Sequence, residues 1–193
     1  MKTRLTLTAL VAVFALAMQA GSVRAADNYK VDSAHSSVLF KVDHFGVAPF
    51  YGRFNAPTGT VTLDKEDPTK SSFTFELKTE NVDTGNEKRD AHLKTPDFFD
   101  AKQFPTITFK SKSVKGLADD KFEVTGDLTL HGVTKEIKLI LNKTAEKDTG
   151  KMGFRTGWTT DVNLKRSDYG MTQMIGPVGD DVQIIIAYEA VKS

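Results

Sequence analysis

The residues best suited to acid–base chemistry are concentrated in one segment, EKRDAHLKTPDFFDAKQFP, at residues 87–105. It contains Arg89, Asp90 and His92, and a carboxylate near an imidazole is a common pairing for general acid–base catalysis. Asp90 and His92 are two residues apart, however, which places them on different sides of a helix. The chain contains no nucleophile-elbow pattern such as G-x-S-x-G. The segment therefore predicts a structural element, in which Arg89 and Asp90 tie a helix to a neighbouring loop.

The histidines do not form a recognisable metal-binding pattern. Zinc sites usually show spacings such as H-x-H or H-E-x-x-H, and neither occurs in this chain. A Gly-rich nucleotide fingerprint is also absent from the sequence, so we predict neither metal nor cofactor. A second charged pair, Arg166 and Asp168, is interpreted as structural like the first. The four histidines are His35, His44, His92 and His131.

The first 25 residues have the features of a cleaved signal peptide. Lys2 and Arg4 precede an apolar run at residues 5–17, and V-R-A at residues 23–25 fits a small-x-small cleavage site. The run is too short to span a bilayer comfortably, so a retained membrane anchor is the weaker alternative. The sequence has no cysteine that could carry a lipid anchor. We therefore predict an exported, periplasmic protein whose mature chain, residues 26–193, is a single β-barrel domain.

The charge balance argues against two classes of partner. The full chain has a formal net charge of +1. The predicted signal peptide contributes Lys2, Arg4 and Arg24 and no acidic residue, so the mature chain is slightly acidic. Nucleic-acid and anionic-membrane binding both depend on a basic surface. We therefore expect no nucleic-acid partner and no stable membrane insertion.

Outside residues 87–105, apolar and polar residues alternate with the period of half-buried strands. Turn-rich dipeptides such as Asp67-Pro68 and His131-Gly132 separate these stretches. One stretch changes parity midway, which an inserted residue at 57–59 would explain. About eight strands are predicted, around residues 38–42, 51–64, 73–77, 106–110, 122–130, 137–141, 153–164 and 182–188.

Eight antiparallel strands with one apolar face each must bury those faces, and either a sandwich or a closed barrel does so. We expect an all-β fold in which a short helical segment, about residues 86–104, covers one end. We call this segment the cover. Asn86 is placed to cap a helix there, and Pro96 disfavours helix at the residue before it. Phe98 and Phe99 would then bury against the end of the barrel.

The interior of an eight-stranded barrel is either filled by side chains or holds one small ligand, and composition does not decide between the two. If a cavity exists, the inward-facing residues of the predicted strands and the two phenylalanines of the cover form its walls. These candidate ligand-binding residues are Val38, Phe40, Val42, Phe73, Phe75, Leu77, Phe98, Phe99, Ile107, Phe109, Phe122, Val124, Leu128, Leu130, Ile137, Leu139, Trp158, Val162, Val182, Ile184, Ile186 and Tyr188.

Four blocks of the sequence together resemble the YceI-like family of exported bacterial proteins. They are VDSAHSSVLFKVDHFGV followed by GRF, DTGNEKRDAHLKTPDFFDAKQFPTITF, GDLTLHGVTKEI, and GDDVQIIIAYEAVK. The likeness covers residues 29–192 in the same order. The resemblance implies a lipocalin-like, eight-stranded antiparallel barrel without established enzymatic activity. It also implies a long apolar cavity that binds a polyisoprenoid chain of the kind found on quinones and carrier lipids.

The leading hypothesis is a periplasmic binding or carrier protein for a polyisoprenoid or similar amphipathic lipid. An enzyme acting on such a lipid through Asp90, His92 or His44 is one alternative. A stress or interaction protein with a solid barrel core is another. The sequence leaves open whether two barrels pair as a homodimer and whether a membrane redox partner exists. It also leaves open the headgroup and the tail length of the ligand.

Overall fold

A closed antiparallel barrel forms most of the computed structural model, which describes residues 25–193. The predicted signal peptide lies outside the described residues except for Ala25. No helix within the described residues is long and apolar enough to cross a membrane. In chain order the elements are β1 (Asp27–His44), β2 (Ala48–Phe54), β3 (Thr58–Leu63), β4 (Ser72–Lys78), β5 (Val82–Asp83), α1 (Glu87–Leu93), β6 (Thr106–Gly116), β7 (Lys121–Leu130), β8 (Val133–Asp148), β9 (Phe154–Lys165) and β10 (Val178–Lys192).

These ten strands occupy eight positions around the barrel, because two positions are each filled by two strands in succession. β2 and β3 both pair with β1, and β4 and β5 follow one another in the same way beside β3 and β2. The predicted eight-stranded barrel is therefore confirmed. The parity change lies at residues 55–57, slightly before the predicted position. There Ala56 has a φ of 52°, and Pro57 has no N–H to contribute to a ladder.

The first and last strands close the barrel. β1 pairs with β10 from Tyr29 opposite Lys192 to His44 opposite Val178, with a register shift between Asp32 and Ser37. Closure leaves no unpaired sheet edge between these strands. We call this β1–β10 pairing the seam.

An ion cluster beside the register shift reinforces the seam. The Arg155 guanidinium of β9 donates to Asp32 on β1 at 2.7 Å and to Glu189 on β10 at 2.8 Å. One side chain therefore bridges three adjacent strands.

The half of the barrel that holds the beginning of β1 and the end of β10, which we call the lower half, has a solid core. Tyr29, Val61, Phe73 and Trp158 are almost fully buried there. The Trp158 ring lies edge-on to Phe73 and to Phe122, with 5.3 Å between ring centroids in each pair. Side chains of this size leave little free space inside a barrel of eight strands.

The predicted helical segment covers the opposite, upper end. The Asn86 side chain accepts a hydrogen bond from the Arg89 backbone N–H and so caps α1, as expected. The segment ends at Phe104, whose ring lies against the His131-Gly132 turn between β7 and β8. A side chain at Gly132 would collide with the Phe104 ring. Both turn residues have positive φ, as a two-residue hairpin requires.

Candidate functional site: an apolar cavity in the upper half of the barrel

A cavity of about 200 Å³ lies between the solid lower core and the covered upper end. Most of the predicted wall residues line it, namely Val38, Phe40, Val42, Phe75, Leu77, Phe98, Phe99, Ile107, Phe109, Leu128, Leu130, Ile137, Leu139, Val162, Val182, Ile184, Ile186 and Tyr188. The polar side chains in the lining belong to Thr108, Thr160, Arg166 and Tyr188.

Four residues predicted as walls do not line the cavity. Phe73, Phe122, Val124 and Trp158 face inward as expected, but all four belong to the buried lower core. The Trp158 ring stacks on Tyr188 with 6.4 Å between centroids and an angle of 11° between the planes. Together these aromatic side chains form the floor of the cavity.

Several lining residues were absent from the predicted set. Phe54, Leu141, Thr160 and Leu164 lie on predicted strands with inward parity, so the alternating pattern already contains them. Leu39 and Thr108 lie on strands but have the opposite parity. The others lie on helices or loops or at the first residue of β10, where no period of two marks the inward side. The full group is Leu39, Phe54, Leu93, Thr108, Leu141, Thr160, Leu164, Arg166, Met171 and Val178.

The cover contributes three side chains to the upper part of the cavity. Leu93 ends α1, and Phe98 and Phe99 follow on the next turn. The Phe99 ring lies edge-on to Phe54 of β2, with 5.3 Å between centroids. Phe98 is buried and its ring lies edge-on to His92. The cover is therefore held by apolar contacts on the side that faces the cavity.

The charged residues of the cover hold it to the preceding loop. The Asp90 carboxylate accepts from the Thr84 N–H at 2.8 Å and from its hydroxyl. Arg89 donates to the Thr84 hydroxyl and carbonyl oxygen, both at 2.8 Å, and its guanidinium lies 4.2 Å from the centre of the Phe50 ring. These contacts match the predicted structural role. None of the three residues Arg89, Asp90 and His92 is among those that line the cavity.

Arg166 is the charged residue of the lining and is 94 % buried, with a relative exposure of 6 %. Its guanidinium donates to the carbonyl oxygens of Met171 at 2.9 Å, Gln173 at 2.7 Å, Val178 at 3.0 Å and Gly179 at 2.9 Å. Burial lowers the pKa of the Arg166 guanidinium. Four of its five N–H donors are thus used to hold the β9–β10 loop.

The histidines are dispersed in the structure as they are in the sequence. His35 bonds the Asp32 carboxylate at 2.9 Å, and His92 bonds Asp97 at 3.0 Å on the surface. His131 bonds the backbone carbonyl of Tyr169. Among residues 25–193, no group of His, Asp and Glu side chains is arranged to hold a metal ion.

Comparison with known sequences decides the family. The YceI-like domain family matches residues 29–190. The chain belongs to the YceI-like family. A UPF0312 protein of Pectobacterium atrosepticum is 37% identical to it over 189 residues, which cover 97% of each chain.

Solved structures share the YceI-like barrel. BcnA of Burkholderia cenocepacia superimposes with a TM-score of 0.76 at 23% identity, over 83% of this chain and 99% of that one. A domain of Saccharophagus degradans, described as a polyisoprenoid binding domain, has a TM-score of 0.67 at 17% identity. It covers 86% of this chain and 98% of its own. At these identities both comparisons establish a common fold.

Proposed function

We propose that this protein binds a polyisoprenoid or similar amphipathic lipid in the barrel cavity and serves as a periplasmic binding or carrier protein. The observation that carries the proposal is a cavity whose walls are almost wholly aliphatic and aromatic. The related barrel of Saccharophagus degradans, which is described as polyisoprenoid binding, supports the same class of ligand. The predicted signal peptide supports the periplasmic location.

The chemistry of the walls suits an isoprenoid chain. Such a chain offers methyl and methylene groups and almost no hydrogen-bonding atoms. Burying each methylene-sized group is worth about 0.8 kcal/mol, so a five-carbon unit gains about 4 kcal/mol before ordering is counted. Ordering of the chain and loss of its translational freedom oppose this gain. An apolar surface of the right shape is therefore sufficient, which explains why the sequence shows no sharp binding motif.

The size of the cavity limits how much of the ligand is enclosed. An apolar cavity of about 150 Å³ accommodates a benzene-sized guest, and the cavity here is about 200 Å³. In this conformation it therefore encloses roughly one isoprene unit with a small polar end. A longer chain must extend past the cover or displace it.

Mass spectrometry of lipid extracts tests the proposal directly. The mature protein is purified from periplasm without detergent, extracted with organic solvent and analysed for bound lipid. We expect a polyprenyl compound at about one per protein. Trp158 is the sole tryptophan and lies in the cavity floor, so quenching of its fluorescence by added polyprenyl quinone provides an independent titration.

Two tryptophan substitutions on one strand provide a matched control. Ile137 lines the cavity, whereas Ile140 of the same strand is 40 % exposed on the outside. Ile137→Trp should fill the cavity and abolish lipid binding, while Ile140→Trp should bind as the wild type does. The added tryptophans require the extraction assay instead of fluorescence. Absence of lipid from the wild type, together with no binding of added quinone, would refute the proposal.

A further inference from the structure

Two residues at the floor of the cavity carry hydroxyl groups that lack hydrogen-bond partners in the part of the chain that the structure describes. Thr160 and Tyr188 both line the cavity. Within residues 25–193, the Thr160 Oγ1 and Tyr188 Oη atoms are buried and have no hydrogen-bond partner, and the same holds for Nε1 of Trp158, which lies beside Tyr188. Buried polar atoms are nearly always hydrogen-bonded, and each exception requires a reason, such as a ligand that supplies the missing partner.

The three residues that carry these polar groups lie next to one another on β9 and β10, on one side of the floor. Trp158 lies opposite Tyr188 in the β9–β10 ladder, and Thr160 lies opposite Ile186, one inward position higher. Since inward positions recur every second residue, all three side chains belong to the same patch of the inner surface. The rest of the barrel floor is formed by the rings of Phe73, Phe75 and Phe122 and adjacent aliphatic side chains.

The polar groups of this patch favour a ligand that offers a neutral hydrogen-bond acceptor. The hydroxyls can donate, and the indole N–H can only donate. Burial raises the pKa of the Tyr188 hydroxyl well above its usual value, so the group keeps its proton at neutral pH. No charged residue lines the lower part of the cavity, because Arg166 lies at the upper end beside Met171 and Val178. A phosphate at the floor would lose its hydration without gaining a counter-charge.

The upper end of the cavity is apolar, in contrast to the floor. Leu93, Phe98, Phe99 and Met171 line the cavity there. Phe45, Val47, Met174 and Ile175 expose apolar side chains on the loops beyond it, and the Phe45 N–H donates to the Pro177 carbonyl, which joins the two loops. The residues at the inner end of the cavity thus carry unpartnered polar groups, whereas an apolar surface borders the cavity where it approaches solvent.

We propose that Thr160 and Tyr188 form a polar subsite that donates hydrogen bonds to a neutral oxygen of the ligand, a ketone, aldehyde or quinone carbonyl. The ligand then lies with its oxygen-bearing end on the floor and its hydrocarbon chain directed towards the cover. This inference rests on the proposed lipid-binding function and adds the orientation and headgroup class of the ligand.

Three probes with matched ten-carbon chains test the subsite in the mature protein: geranial, which ends in an aldehyde; myrcene, a hydrocarbon; and geranyl diphosphate, an anion. Their dissociation constants are measured by calorimetry. The wild type should bind geranial more tightly than the other two. Tyr188→Phe and Thr160→Val should each weaken geranial binding by about 5–10-fold, because each removes one hydrogen bond. Both variants should bind myrcene with an affinity within about twofold of the wild type.

Matched controls remove the same groups from the outer surface. Tyr51→Phe and Thr159→Val should bind all three probes as the wild type does, because Tyr51 is 53 % exposed and Thr159 has outward parity on the same strand as Thr160. The lipid-free variants should melt at the wild-type temperature, since their hydroxyls have no partner to lose. A lower melting temperature for Tyr188→Phe or Thr160→Val than for its control would show that the hydroxyl is bonded within the protein or to a trapped water, and would overturn the inference.

The outcomes separate the subsite from the binding function. If the variants bind geranial as the wild type does, or lose geranial and myrcene equally, the subsite is refuted and the lipid cavity stands. Preference of the wild type for geranyl diphosphate would also refute the subsite. If the wild type binds none of the three probes but binds a polyprenyl quinone, the subsite alone is refuted. If it binds neither the probes nor the quinone, the proposed function is refuted as well.

Discussion

At the scale of single residues, Arg166 links the cavity to the loop that borders it. Its four donors reach carbonyls at residues 171–179, and Asp180 next to this stretch accepts from the Ser167 N–H and hydroxyl. The 3-10 turn Arg166–Tyr169 and the beginning of β10 are thus cross-linked by polar bonds. Met171 and Val178, which line the cavity, are positioned by these bonds.

Arg166→Met should destabilise the protein by about 2–4 kcal/mol. The substitution leaves four carbonyl oxygens without their donor, in a place that water reaches poorly. Urea unfolding measures the change. Arg53→Met is the control: Arg53 forms an exposed pair with Asp83, and such pairs contribute about 0–1 kcal/mol. Equal losses from the two variants would contradict the role assigned to Arg166.

Substitutions of charged residues in the cover test the alternative that the protein is an enzyme. His92 and Asp97 form a surface pair with each side chain about half exposed, whereas Asp90 holds the Thr84 loop. We expect His92→Ala to change the free energy of unfolding by at most about 0.5 kcal/mol and to leave lipid binding unchanged. Asp90→Ala should destabilise the cover because it removes two hydrogen bonds. Turnover of a lipid that depends on His92 would instead support catalysis.

At the scale of elements, the cover forms part of the upper wall of the cavity. Leu93 at the end of α1, and Phe98 and Phe99 after it, line the cavity directly. Phe99→Ala should open this wall and accelerate ligand release more than it weakens the barrel, since Phe99 is only half-buried and its ring packs edge-on to Phe54. Stopped-flow displacement of a bound quinone measures the rate. Phe122→Ala, in the solid core, should destabilise the fold by about 3–5 kcal/mol without a comparable change in release.

The elements also show how far sequence reasoning extends. A period of two identifies the inward face of a strand, and it correctly assigned Phe109, Leu128 and Ile184 to the interior. It carries no information about height along the barrel, so Phe73 and Trp158 were grouped with residues of the cavity. Their height depends on the relative shift of neighbouring strands, which long-range pairing determines. Arg166 and Met171 lie in a loop without periodicity, where only tertiary contacts reveal an inward side chain.

At the scale of the whole molecule, the seam is held by an acid-sensitive cluster. Hydrogen bonds from His35 and Arg155 lower the pKa of Asp32 to about 2. The same carboxyl has a pKa of about 3.9 in an unfolded chain. Since the folded value is the lower one, the ionised carboxylate stabilises the fold above pH 4. That contribution is lost as the pH falls from about 4 through 2.

Removal of the carboxyl should therefore flatten the pH dependence. Between pH 4 and 2, Asp32→Asn should lose less stability than the wild type, as measured by thermal unfolding at several pH values. Asp119→Asn serves as the control, because Asp119 is exposed in the β6–β7 turn. A wild-type slope retained by Asp32→Asn would show that other carboxylates account for the acid sensitivity of the seam.

The seam also determines when the cavity comes into existence. β1 and β10 lie at opposite ends of the chain, and the last pairs of their ladder reach Val191 and Lys192. During biosynthesis the remaining strands can pair in sequence, but they form only an open curved sheet with two exposed edges until the final strand has been made. Contacts between such distant segments also form slowly. A chain that lacks β10 therefore has no closed cavity, and the proposed ligand can be captured only after β10 has paired with β1.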